Sequence, residues 1–191
     1  MRLDSQTLLM LIDLQKAIDH PSWLEAGRSR NNPNAEANIF ELLSLWRSKS
    51  LPILHIHHMS TKANSAYRPG QAGNDFKDLL KPLAGEWVLE KATNSAFIGT
   101  NLEGSLHQKG ISKLVVTGVI TNNSVEATVR MAGNLGFETY LVEDGSFTFG
   151  CYDFYGTWHE AREVHAMSLA NLSGEYATIV NTAQLKEALT Y

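Results

Sequence analysis

KLVVTGVITNNSVEATVRMAGNLGFETYLV, residues 113–142, decides how this chain folds. Its first seven residues form an apolar run of strand length. Residues 122–135 place Val125, Val129 and Ala132 on one helical face and stop at Gly136, after which residues 137–142 return to strand-like composition. The same alternation extends outward in both directions. Residues 7–14 (TLLMLIDL), 51–57 (LPILHIH) and 86–90 (EWVLE) read as three earlier strands, and residues 176–180 as a sixth. Pro52 falls at the start of its strand, where a missing N–H is tolerated. Residues 35–49, with Ile39, Leu42, Leu43 and Trp46 at helical spacing, 101–109 and 182–189 read as helices. A further helix is expected within residues 152–172, after an irregular start. Six short apolar runs separated by helical segments predict an α/β fold: a three-layer αβα sandwich around a central, mostly parallel, Rossmann-like six-stranded sheet.

Composition narrows the function. The 191 residues, 43% hydrophobic and 19% charged, suit a single domain spanning 1–191. Sixteen Lys and Arg against twenty Asp and Glu leave a net charge of −4 with no basic block, so neither nucleic acid nor a membrane is an expected partner. The N-terminal run has no basic segment or cleavage site of a signal peptide, and the cytoplasm is the expected compartment. Cys151, the only cysteine, cannot form an intramolecular disulfide. Neither glycine-rich phosphate motif follows a strand, which disfavours a nucleotide-binding α/β protein.

In a parallel sheet, ligands bind beyond the carboxyl ends of the strands. Asp13, Lys91 and Ser124 fall at or just past three such ends, on one rim. Each also has a plainer reading. Asp13 fits a solvated strand-end acid or a cap, and Lys91 a surface lysine beside Glu90. Ser124 lies among Asn122 and Asn123 at a helix start, and Asn123 with Glu126 has capping-box spacing. His55 and His57 share a strand face, but the run supplies too few ligands for a metal site. Residues 58–81, rich in polar residues, Gly and Pro, form a long excursion of the kind that often carries function.

These positions fall in motifs, and the motifs resemble those of the isochorismatase-like cysteine hydrolases. The run Gly118 to Thr128 is similar to the family's nucleophile turn, with Ser124 where that family normally has cysteine. Leu11-Ile12-Asp13-Leu14-Gln15 resembles the motif of the catalytic Asp, and Lys91 with Ser95-Ala96-Phe97 that of the catalytic Lys. Further matches run through Arg68-Pro69-Gly70, Gly99-Thr100-Asn101-Leu102 and Val164-His165, so the resemblance covers most of the chain.

The resemblance implies hydrolysis of a small-molecule C–N (amide) bond through a covalent acyl-enzyme, with Asp13 taking the nucleophile's proton and Lys91 stabilising its anion. It also implies an oxyanion hole from the N–H groups of Ile120 and Ser124, set by a cis peptide at Val119-Ile120. Serine strains this scheme, because a hydroxyl is far less acidic than a thiol and needs a strong base. Three readings of Ser124 stand: an inactivated Cys-to-Ser variant, which the otherwise intact motifs favour, a natural serine variant with changed chemistry, and a member that binds without turnover. A vinyl ether hydrolase of the isochorismatase type, with Asp13 as acid, is the alternative reaction. No cofactor and no metal are expected, since the second strand ends in His55-Ile56-His57-His58 rather than an Asp-x-His metal pattern. Walls for the substrate are expected from Trp23, Phe97, Thr121, Phe154 and Trp158, from the 58–76 loop and from the aromatic run 147–158. By resemblance, the assembly is a homodimer or homotetramer.

Overall fold

The computed structural model describes residues 3–23 and 29–190. In chain order its elements are β1 (Thr7–Ile12), α1 (Ala35–Ser48), β2 (Ile53–His58), β3 (Trp87–Lys91), α2 (Leu102–Gln108), β4 (Lys113–Val119), α3 (Glu126–Asn134), β5 (Glu138–Phe147), β6 (Cys151–Tyr152), β7 (Trp158–His159), α4 (Ala161–Leu172), β8 (Thr178–Val180) and α5 (Thr182–Thr190). Six strands form one sheet in the order β3-β2-β1-β4-β5-β8, every neighbouring pair parallel. Strand order reverses between β1 and β4, so the crevice beyond their carboxyl ends is a topological switch point.

Alternation along β1 builds the layers. Leu9 and Leu11 face α1 and α5, where Ile39, Leu42, Leu43, Trp46, Leu185 and Leu189 complete one buried cluster. Leu8, Met10 and Ile12 face the opposite way, onto Leu102, Leu106, Val129, Ala132 and Leu172 of α2, α3 and α4. The sheet is thus covered on both faces, which is why its strands read as unbroken apolar runs.

Two features differ from the sequence expectation. The fifth strand runs on from Val142 to Phe147, because a bulge absorbs Glu143-Asp144-Gly145 and pairing resumes at Gly118↔Ser146 and Val119↔Phe147. Side chains from α1 and the segment before it satisfy the bulge: Asn32 donates to the carbonyls of Glu143 and Ser146, and Asn38 to that of Asp144. The aromatic run after β5 contains a short antiparallel hairpin, β6 and β7, that the sequence reading treats as irregular.

At the amino end of the sheet, Glu86 ties α1 to the β2–β3 edge. It receives both Nε and Nη2 of Arg47, the Leu83 N–H, and His55 Nε2 at 2.8 Å. Burial works to raise its pKa, but these donors prevail and hold it at about 2. His55 is thereby explained as the partner of a carboxylate. The depressed pKa means that Glu86 stabilises the fold above pH 4.5, its ordinary value, and loses that contribution as pH falls towards about 2. Glu86→Gln is expected to be less stable at pH 7, and to lose less stability between pH 4.5 and 2 than the parent, in urea titrations at each pH.

Gly118 lets β4 close on β1. Its φ is +123°, and a Cβ there would lie 2.3 Å from the Ile12 carbonyl oxygen. Gly136, which ends α3 at φ +84°, has open space around it. Gly118→Ala is therefore expected to lower unfolding free energy by at least about 2 kcal/mol, and Gly136→Ala by only about 1–2 kcal/mol, measured by chemical denaturation.

Candidate active site

Three strand ends meet at the switch point. Asp13 follows β1 in the left-handed region, φ +54°, a conformation Asp tolerates better than most residues. Its N–H bonds the Ile56 carbonyl, and its own carbonyl receives Gln15 N–H at 2.9 Å and the Tyr67 hydroxyl at 3.4 Å. The turn aims the carboxylate inward, where it is 3% exposed. Lys91 closes β3, two strands away, and its four-carbon stem reaches past the end of β2. The ammonium lies 2.8 Å from Asp13 Oδ2, 3.3 Å from Ser124 Oγ, 3.0 Å from the Thr93 carbonyl and 3.5 Å from His58 Nδ1. Asp13 Oδ1 is buried without a hydrogen-bond partner among the described residues.

Ser124 sits in a π-helical turn, Thr121–Val125, that leads from β4 into α3. The turn is closed by the Val125 N–H on the Ile120 carbonyl, and the Val119-Ile120 peptide before it is cis. Side chains fix it from several directions. Thr121 Oγ1 is 2.8 Å from His165 Nδ1, Asn122 Oδ1 receives Thr148 Oγ1, and Thr128 Oγ1 donates to the Ser124 carbonyl while accepting the Ala96 N–H. Through Thr128 the loop after Lys91 is fastened to α3. The capping box suggested by Asn123 and Glu126 does not form: Glu126 instead binds Arg130 and Ser168.

These groups open into a cleft of about 200 Å³, whose walls include Trp23, Ile18, His58, Tyr67, Lys62 and Asn94. Burial is the main cause that lowers the His58 pKa; Lys91, His57 and Lys62 depress it further, against the pull of Asp13. Burial and the charges of Asp13 and Asp19 push the Tyr67 phenol well above its ordinary value, so it remains a donor. The excursion after β2 is braced rather than loose. Buried Gln15 bridges both backbone groups of His58 and the Asn74 carbonyl, and Asn74 Nδ2 binds the carbonyls of His58 and Tyr67. His57 completes the brace, bonded to the Asn74 carbonyl and stacked on Phe76 at 4.5 Å.

The structure brings Asp13, Ser124, Ile120 and Trp23 to the cleft, along with part of the 58–76 loop, and buries the Lys91 ammonium against Asp13 and Ser124. Trp23 stacks on Phe149 at 5.2 Å and bonds the Ala17 carbonyl. Four expected wall residues lie elsewhere. Phe97 packs against Phe137 beneath α3, and Thr121 is buried under the turn. Phe154 is 95% exposed at the tip of the β6–β7 hairpin, and Trp158 packs on Tyr152 and bonds Glu160. None of these four lines this cleft: Phe154 and Trp158 lie on the β6–β7 hairpin, and Phe97 and Thr121 are held in the contacts just described. His58, Tyr67, Gln15, Asn74 and Thr128 were missed. Gln15 and Thr128 fall within the quoted motifs, and His58, Tyr67 and Asn74 within the 58–76 loop, but none is singled out by residue type alone. Among the described residues, no three His, Cys, Asp or Glu side chains gather as metal ligands, and no helix is long and apolar enough to cross a membrane.

Comparison with known proteins adds three findings. Residues 7–184 match the family model of the isochorismatase domain. An isochorismatase-family protein of Bacillus subtilis, YrdC, is 42% identical over 183 residues, covering 96% of each chain, and Nicotinamidase 3 of Arabidopsis thaliana is 25% identical over 80% of this chain and 78% of its own. A crystal structure described as a hydrolase of the isochorismatase family from Chromobacterium violaceum superposes with a TM-score of 0.94 at 53% identity, covering 100% of this chain and 97% of that one.

Removing one member of a buried ion pair strands the other. Lys91→Met is expected to cost about 3–5 kcal/mol of stability, and adding Asp13→Asn to recover part of that loss, as read from denaturant midpoints.

Proposed function

This chain belongs to the isochorismatase family of hydrolases, and from that premise we propose that it cleaves the C–N bond of a small amide, with Asp13, Lys91 and Ser124 as its catalytic residues. One observation carries the reading: a single buried ammonium lies 2.8 Å from a carboxylate and 3.3 Å from a hydroxyl at the switch point of the sheet. That arrangement suits covalent catalysis. The group at position 124 attacks the amide carbonyl carbon while its proton passes to Asp13, whose Oδ1 has no hydrogen-bond partner among the described residues. The oxyanion is received by the N–H groups of Ile120 and Ser124. As the C–N bond breaks, Asp13 returns the proton to the leaving nitrogen, and water, deprotonated in turn, hydrolyses the acyl intermediate.

Lys91 favours an anion at position 124, which is what a thiol needs and what a hydroxyl barely uses. We therefore read Ser124 as standing at a cysteine position, in a Cys-to-Ser variant whose turnover is impaired. The missing thiol also supports the vinyl ether alternative, in which Asp13 serves as the acid. Against it, Asp13 Oδ2 is engaged as an acceptor by Lys91, a geometry better suited to a base.

Ser124→Cys is expected to raise ammonia release from a panel of small amides by roughly a hundredfold or more, and Asp13→Asn in that background to remove the gain. Vinyl ether cleavage would instead require Asp13 and ignore residue 124. A well-folded Ser124→Cys protein that binds amides by calorimetry and releases no ammonia would sink the amidase reading.

A further inference from the structure

The turn that carries Ser124 is held from behind by a helix that does not reach the cleft. His165 and Ser168 lie three residues apart on one face of α4, and both are buried. No α4 side chain among the described residues lines the cleft. The two nonetheless grip Thr121, the first residue of the turn, at both of its polar groups. His165 Nδ1 lies 2.8 Å from Thr121 Oγ1, and Ser168 Oγ lies 3.3 Å from the Thr121 carbonyl oxygen. Ser168 Oγ also donates to Glu126 Oε2 at 2.5 Å, on the residue directly after the turn. Both ends of the turn are thus referred to α4.

Packing alone does not call for a histidine at this position. Burial lowers the pKa of the ring, the Glu143 carbonyl acting against it only in part, and Nε2 meets no acceptor at hydrogen-bonding geometry among the described residues. An apolar side chain would fill a buried helix position without that desolvation cost. What the imidazole supplies, and an apolar group does not, is the contact of Nδ1 with Thr121. We propose that His165 is a positioning residue: from α4 it fixes Thr121, and through Thr121 the N–H groups that the turn presents to the substrate, without touching the substrate itself. This rests on the amidase reading for its effect on turnover only. Oxyanion donors that are displaced rather than removed lower the rate by roughly ten- to a hundredfold.

Asparagine places its amide near the position of Nδ1, and glutamine near that of Nε2, so the two replacements separate the Thr121 contact from bulk and polarity. In the Ser124→Cys background, with ammonia release from small amides as the readout, His165→Asn is expected to keep kcat within about threefold. His165→Gln and Thr121→Val should each lower kcat at least about tenfold with KM little changed, and combining them should cost no more than the worse single change, because they break one contact. In the protein with Ser124 in place, amide hydrogen exchange of residues 120–125 should quicken at least about tenfold in His165→Gln and Thr121→Val, with an unshifted denaturant midpoint, and stay at the parent rate in His165→Asn. Equal behaviour of the Asn and Gln variants, strictly multiplicative effects in the double variant, or a loss confined to KM would each overturn the assignment. If exchange follows the expected pattern and Ser124→Cys releases no ammonia from any amide, the hold on the turn stands and the amidase reading falls. If Ser124→Cys turns over and neither its kcat nor the exchange responds to His165→Gln or Thr121→Val, the amidase reading stands and the positioning role falls.

Discussion

The shared ammonium of Lys91 is the constraint around which this molecule is organised. A lysine that is 2% exposed has given up its hydration, and only close acceptors offset that loss. They come from three places: the carboxylate after β1, the carbonyl of Thr93 and the hydroxyl of the turn after β4. Each acceptor is itself held by backbone geometry. Asp13 is locked by its left-handed turn, Thr93 by the loop tied to Thr128, and Ser124 by the π turn pinned from Thr121 and Asn122. The parallel order of the sheet supplies the coincidence of position, since β3, β1 and β4 all end on the same rim.

Much of the fold was legible because its signal is local. Buried parallel strands are apolar over their whole length, and helices such as α1 repeat their apolar residues at 3.6, so both periods appear in the sequence itself. In the sequence the strand after α3 ends at Val142, since Glu143-Asp144-Gly145 looks like a terminus; pairing resumes beyond it, where Asn32 and Asn38, more than a hundred residues earlier, satisfy the bulge. Nothing local announces such a rescue. The site divides in the same way. Asp13, Lys91 and Ser124 lie at strand ends and in recognisable motifs, whereas Gln15, Asn74 and Tyr67 act through contacts between distant segments. Aromatic composition is the weakest guide: Phe154 and Trp158 look like pocket walls by residue type, yet Phe154 is exposed at the hairpin tip and Trp158 packs on Tyr152 within the hairpin.

The cleft combines two kinds of rigidity. Its floor is covalently close to the sheet: Asp13 directly follows β1, Lys91 ends β3, and Ser124 lies five residues beyond β4 in the π turn. Its outer wall is a long excursion without regular helix or strand until β3, apart from a short helical turn at Ala72–Asn74. Such a segment ordinarily carries unsatisfied backbone groups. Here Gln15 and Asn74 use their carboxamides as substitutes for strand neighbours, giving the loop side-chain partners where it has no ladder. Preorganisation of this kind reduces the ordering entropy that a small ligand would otherwise have to overcome.

Among the described residues, β3 lies at the border of the sheet, with β2 on one side and no strand on the other. A border strand is the part of a sheet that opens most readily, because fewer ladder bonds hold it. Lys91 is its last residue. Its ammonium reaches from that border strand to Asp13 and Ser124. Opening of those five residues alone would break the contacts of Lys91 with Asp13 and Ser124 and leave the pairing of β1 with β4 in place.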